Sequence, residues 1–350
     1  MKRLKAGLAG IIMSVAAIAA AAPTPMREAP PKTAPRQGAM SAAERAADQK
    51  DYTFALVPKL LDNPVFNYAR IGAEKRAKAL GHLTILWRAP QEADAAKQVE
   101  IIEGLIALHV DGISVSCNEP EALRPAIDKA IAAGIPVITF DSDSPKSKRL
   151  TYYGIDDFAN GQMLGRELAR EMGGKGDVAM LTGTRGAFNL EERMRGVRMA
   201  LAKFSRIRLV QTVACDDDIA KSVSLIESTQ RAHPELAGWA LVGGWPLFAK
   251  GALAALDPKK TKVVSWDALP PEWGYLESGQ VQLLLAQRVY HWGAESVNLL
   301  LAAKRGRVLP RNSYAGLDLV TPGNLAKYKA MWAAWEDPAK PIADDPLLKP

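Results

Sequence analysis

Residues 112–141 read GISVSCNEPEALRPAIDKAIAAGIPVITFD, and the plan of the chain is visible in them. A short apolar run, Gly112 to Val115, gives way to the polar turn Ser116-Cys117-Asn118. An amphipathic stretch follows over 121–133, then Gly134, then a second apolar run that ends on Asp141. Two runs of strand length separated by a helix-period segment form a βαβ unit, whose strands must pair in parallel because the helix carries the chain back. Gly134 stands where a helix C-terminal cap is expected. On either side the alternation continues. Strands are expected over 52–57 and 83–86 with helices over 65–80 and 94–108. A second series places strands over 177–181, 208–213, 239–242, 262–266 and 281–285, and helices over 160–172, 189–204, 219–232, 247–256 and 294–303. The fold class is α/β, in two similar halves.

Length agrees with this reading: 350 residues exceed one ordinary core and suit about two domains. With 48% hydrophobic and 24% charged residues, the composition is globular, not disordered or coiled-coil. Lys2, Arg3 and Lys5 precede an apolar, Ala-rich run over 6–22 with A-x-A cleavage options, the pattern of a secretory signal peptide over 1–22. No Cys follows that could take a lipid. Residues 23–50 hold five prolines without apolar periodicity and read as a solvated linker. The formal charge is +7, and three of the excess positive charges belong to the leader. The rest are spread along the chain, with no basic cluster, helix-turn-helix or zinc-finger spacing, so nucleic acid is not an expected partner.

In open parallel sheets, ligands bind beyond the carboxyl ends of the strands. Those ends include Lys59 to Pro64, Ser116-Cys117-Asn118, Asp141-Ser142-Asp143, Thr182-Gly183-Thr184, Asp216-Asp217-Asp218, Gly243-Gly244-Trp245 and Trp266-Asp267. Carboxylates that accept from hydroxyls, together with indoles that cover the apolar face of a sugar ring, make a carbohydrate-recognition chemistry. The competing reading is that each Asp or Asn only caps the helix after it. Enzyme signatures are absent: there is no G-x-S-x-G elbow, no G-x-x-x-x-G-K-[ST] loop and no H-E-x-x-H. The four histidines lack metal-ligand spacing, and neither a metal nor a cofactor is expected.

Six segments in order resemble the periplasmic sugar-binding proteins of the ribose- and galactose-binding type. They are the strand and turn over 52–66 with Asn63-Pro64 opening a helix; the strand from Gly134 to Asp141; Tyr153-Gly154-Ile155-Asp156-Asp157 with Gly161 and Gly165; Glu192-Arg193-Met194-Arg195-Gly196; Val263-Val264-Ser265-Trp266-Asp267; and Ala286-Gln287 with Gly293. The resemblance spans about 51–324. It implies the type I periplasmic binding protein fold, two Rossmann-like lobes with parallel sheets joined by a three-segment hinge. The lobes would comprise 51–155 plus 288–317 and 156–287 plus 318–325, with a C-terminal helix and tail over 326–350. It also implies a periplasmic, monomeric, non-enzymatic receptor that closes on a sugar or polyol and docks on an ATP-binding-cassette permease. The alternatives are a ligand sensor for a membrane receptor and a carbohydrate-active enzyme, for which Asp141 and Asp267 would be the carboxylate pair.

Carried over residue by residue, the resemblance implies Asn63, Phe66 and Asp141 as first-lobe ligand contacts, with Arg193, Asp267 and Gln287 completing the site. The strand ends add Trp245 as a ligand-facing indole. Lys59, Ser116, Ser142, Asp216 and Trp266 are further candidates, and Trp273 and Trp292 lie nearby in sequence. Two departures set the pocket apart from a ribose pocket: Ser142 replaces an arginine, and Gly244-Trp245 replaces an Asn-Asp pair before Gly251-Ala252-Leu253. The expected ligand is a neutral ring, a sugar or cyclic polyol. Cys117 and Cys215 fall in different lobes, where a disulfide would clasp a moving cleft, so a free pair is expected.

Overall fold

The computed structural model describes residues 50–337; the expected leader, the linker up to residue 49 and the tail from 338 lie outside the described residues. The first half runs β1 (Tyr52–Val57), α1 (Pro64–Leu80), β2 (Leu83–Trp87), α2 (Ala95–Ala107), β3 (Gly112–Val115), α3 (Pro120–Ala132), β4 (Val137–Phe140) and β5 (Tyr152–Gly154). The second runs α4 (Asp157–Glu171), β6 (Lys175–Thr182), α5 (Phe188–Leu201), β7 (Arg206–Ala214), α6 (Ile219–Ala232), β8 (Leu236–Leu241), β9 (Lys262–Trp266), α7 (Trp273–Glu277) and β10 (Leu283–Gln287). The chain ends with α8 (Val289–Lys304), β11 (Asn312–Tyr314), β12 (Leu317–Val320) and α9 (Leu325–Glu336).

Two six-stranded sheets result. The first has the order β11-β5-β4-β3-β1-β2 and is parallel throughout. The second has the order β12-β10-β9-β8-β6-β7, parallel except for β12 against β10. Central strands such as VITF of β4 are buried along their whole length because helices cover both faces. Along β1, Phe54 and Leu56 pack with Val65, Ala69 and Leu300 on one face, while Ala55 and Val57 pack with Ile102, Leu123 and Ile127 on the other. Alternation of side chains across the pleat thus divides one strand between two cores.

The chain crosses between the sheets three times, from β5 into α4, from β10 into α8 and from β11 into β12. Arg288 and Asp318 tie the last two crossings together by paired hydrogen bonds of 3.0 and 3.1 Å. Leu317 pairs with Gln287 in the second sheet, one residue before the lobe boundary read from the sequence. The segment 247–256 differs from expectation. In place of a helix it has a 3₁₀ turn, Trp245–Phe248, and then turns through Gly251 at φ +73°. Pro246 supplies no amide donor, and the left-handed glycine prevents the turn from continuing as a helix. Among the described residues no helix is long and apolar enough to cross a membrane.

Candidate ligand-binding site

The carboxyl ends of the two sheets face one another across a small cavity, with Lys59, Asn63, Phe66, Asp141 and Trp292 on the first-lobe side. Asn189, Arg193, Asp217, Trp245, Phe248, Asp267 and Gln287 line the second-lobe side. Three of these carboxylates sit on left-handed residues just after strands: Asp141 at φ +56°, Asp217 at +61° and Asp267 at +81°. A reversal of the backbone there turns the side chain from the sheet face towards the strand end. Asp tolerates the conformation better than most L-residues, and such strain collects at functional sites.

Asp141 is held from both lobes. Its Oδ2 accepts from Ser116 Oγ at 2.7 Å, and its Oδ1 accepts from Asn189 Nδ2 at 3.0 Å. Lys59 Nζ donates to Asn189 Oδ1 at 2.9 Å and lies 3.8 Å from Asp141 Oδ2. On the other wall, Arg193 donates to Asp157 Oδ1 at 2.8 Å, to the Val242 carbonyl at 3.2 Å and to Gln287 Oε1 at 2.9 Å. Gln287 Nε2 then donates to Asp267 Oδ1 at 2.8 Å, and Asp267 Oδ2 accepts from the Gly244 amide at 3.0 Å. Arg193 reaches this place because α4 and α5 touch through their backbones: a Cβ on Gly161 would lie 2.2 Å from the Arg193 carbonyl oxygen, and one on Gly196 2.3 Å from that of Phe158. Only glycine permits that approach.

Aromatic rings line both sides of the cavity. Phe66 and Trp292 stand 6.2 Å apart on the first lobe. Trp245 lies over Gly183 and Gly243, where added Cβ atoms would come within 2.6 and 2.4 Å of its ring. The glycines of the two strand ends are the seat of that indole.

All seven principal sequence candidates, Asn63, Phe66, Asp141, Arg193, Trp245, Asp267 and Gln287, line the cavity, as does Lys59. The capping reading also holds for Asn63, whose Oδ1 accepts from the Val65 amide at 3.1 Å. Other candidates lie elsewhere. Ser116 supports Asp141 from behind, and Trp266 is fully buried with its ring 4.2 Å from the Arg193 guanidinium. Ser142 is buried without contributing to the lining. Asp216 is a correction: its side chain is exposed and pairs with Lys221, while its neighbour Asp217 enters the cavity. Two consecutive left-handed residues, 216 and 217, produce that exchange. Asn189 and Asp217 were missed as site residues. Asn189 carried no motif, and Asp217 was hidden in a run of three acids.

Burial dominates the electrostatics. It pushes the carboxyls of Asp217 and Asp267 upward, with Lys59 and Arg193 respectively pulling them back. Asp157 is raised to about 7 by burial, which its pairing with Arg193 only partly offsets. Glu272, fully buried behind Asp267, is raised well above the usual range by burial and by the neighbouring Asp267 charge. Among the described residues no group of three or more His, Cys, Asp or Glu is placed to hold a metal ion. The arrangement offers alternating hydrogen-bond donors and acceptors between aromatic faces.

A family described as periplasmic binding protein domain matches residues 54–307, and the chain belongs to it. Among characterised relatives, a ribose import binding protein of Bacillus subtilis is 27% identical over 245 residues, covering 69% of this chain and 78% of its own length. The D-allose-binding periplasmic protein of Escherichia coli is 26% identical over 280 residues, covering 76% and 89%. Among solved structures, an ABC transporter solute binding protein from Burkholderia graminis in complex with D-arabinose has a TM-score of 0.76 and 36% identity, covering 80% of this chain and 98% of that one. The two-sheet architecture is that of these solute-binding proteins.

Proposed function

We propose that this protein binds a neutral sugar or cyclic polyol outside the cytoplasmic membrane, closes on it and delivers it, as a monomer, to an ABC-type permease. The supporting observation is the pair of hydrogen-bonded sets that meet at the cavity, Lys59–Asn189–Asp141 across the cleft and Arg193–Gln287–Asp267 beside the hinge. A sugar hydroxyl both donates and accepts, so it can enter either set without leaving a buried charge unpaired. Phe66, Trp245 and Trp292 would cover its C–H faces. A ligand contacting both lobes stabilises the closed form by its differential affinity for that form. The relatives named for sugars favour this class over amino acids or phosphates. Asp141 and Asp267 accept through both oxygens from protein donors, which holds the two carboxyl groups in place for binding.

A thermal-shift panel of pentoses, hexoses, cyclitols, amino acids and sugar phosphates tests the reading. At ~100-fold excess over its dissociation constant, a ligand adds ~2.7 kcal/mol and raises the transition by several degrees. Shifts only with amino acids or phosphorylated sugars would reject a neutral ring.

A further inference from the structure

We propose that α9 is a strap across the seam between the lobes, anchored on the first lobe through Trp332 and held to the second by releasable contacts with Trp273 and Glu277, so that it favours the closed arrangement. The inference rests on the two-lobe closure proposed above.

By chain connection α9 belongs to the second lobe. It follows β12 through a turn in which Asn324 Nδ2 donates to the Leu319 carbonyl at 2.7 Å and the Thr321 amide donates to Asn324 Oδ1 at 2.8 Å. Its 12 residues extend ~18 Å. The far end packs on the first lobe. Trp332, fully buried, meets Tyr68 of α1 at 4.9 Å and Tyr290 of α8 at 5.4 Å, both edge to face. Trp335 meets Tyr290 at 5.9 Å and His291 at 5.2 Å. Lys75 of α1 donates to the carbonyls of Trp335 and Asp337, where the helix end favours a cation. The platform beneath is rigid, since a Cβ on Gly72 would lie 1.9 Å from the Tyr290 carbonyl oxygen and one on Gly293 1.8 Å from that of Ala69.

The same helix also touches the second lobe. Trp273, in the segment between β9 and β10, stands edge-on to Trp332 at 6.2 Å. Lys329 lies 5.2 Å from the centre of the Trp273 ring and pairs with Glu277. Lobes that separate cannot keep both sets of contacts. The first-lobe set has four ring pairs and two hydrogen bonds. Among the described residues, the start of α9 is buried on the second lobe through Leu325 and Tyr328, the latter beside Asp318; further along, the second-lobe set has one ring pair, one cation–π contact and one ion pair whose side chains are 36% and 56% exposed, and solvent screens such a pair to little net value. The contacts at Trp273 and Glu277 release, and the helix pivots about its buried start. The strap also bears on the cavity, because Tyr68 lies two residues after Phe66 on α1 and Tyr290 two before Trp292 on α8.

The test compares the full chain with a Trp273→Leu, Lys329→Gln double variant by small-angle X-ray scattering without any sugar. The strap predicts a larger radius of gyration for the variant than for the parent. Superimposable curves would overturn it. If Trp273→Leu fails to fold, Lys329→Gln with Glu277→Gln, both on exposed side chains, carries the same comparison. Calorimetry with D-arabinose supplies a second reading. A variant whose closed fraction falls tenfold must lose tenfold in apparent affinity. A parent chain that binds no sugar in the panel counts against the proposed function, while the scattering comparison still decides the strap.

Discussion

Asn189, at the start of α5, joins Lys59 to Asp141 across the cleft: its Oδ1 accepts from Lys59 Nζ at 2.9 Å and its Nδ2 donates to Asp141 Oδ1 at 3.0 Å. One amide thus serves a buried cation and a buried anion of the opposite lobe.

Replacing that amide should be costly. Asn189→Leu leaves the Lys59 ammonium without its hydrogen-bond acceptor, at about 1–3 kcal/mol. Melting should fall by several degrees and sugar affinity with it. An unchanged melt and calorimetric affinity would show that Asn189 is dispensable.

Asp267 has a structural role beside the binding role proposed for it. Asp267→Ala removes the acceptor for the Gly244 amide and for Gln287 Nε2 and places alanine at φ +81°, so stability should drop by about 1–3 kcal/mol along with affinity. Asp267→Asn keeps the shape and the tolerance of left-handed backbone, and should recover part of the stability while still binding sugar poorly. Denaturant melts of the two variants separate these contributions.

Trp245 lies on glycines and faces the cavity, so a sugar should change its emission. The quench or shift seen on titration should shrink markedly in Trp245→Phe. A fully retained signal would assign the report to Trp292 or to another indole.

Stability should depend on pH through the buried acids. Asp157 keeps its proton up to about 7 in the folded chain, whereas an unfolded Asp releases it near ~3.9. Between those values the native state binds more protons, so this contribution is complete at low pH and is lost as pH rises through 7. Asp217, Asp267 and Glu272 are shifted in the same direction. Melting should be higher at pH 5 than at pH 7.5, and Asp157→Asn should flatten the difference. A melt that rises between those pH values would contradict the assignment.

Cys117 and Cys215 are both free and buried, and burial raises both thiols, Cys215 to about 12. A thiol reagent should leave the native protein almost untouched and label two sites in denaturant without reductant. Failure to label in denaturant would mean that the pair is oxidised.

The amino-acid sequence by itself determined the α/β alternation, the parallel sheets and most of the cavity lining. Strand length, helix period and turn residues are local, and in this architecture the strand end is where a ligand site forms; Asp141, Trp245 and Asp267 were legible for that reason. Gln287 and Arg193 became legible through the family resemblance. The tertiary structure alone decided which of three consecutive acids turns inward, because two left-handed residues exchange Asp216 for Asp217. It alone brought Asn189 to Lys59, across 130 positions of sequence, since that contact exists only when two separately built lobes meet. The same holds for α9, expected from the sequence only as a C-terminal helix, whose aromatic residues find partners from both lobes in Tyr68, Tyr290 and Trp273. Periodicity reports that a face is buried; the chain's long-range path decides against what.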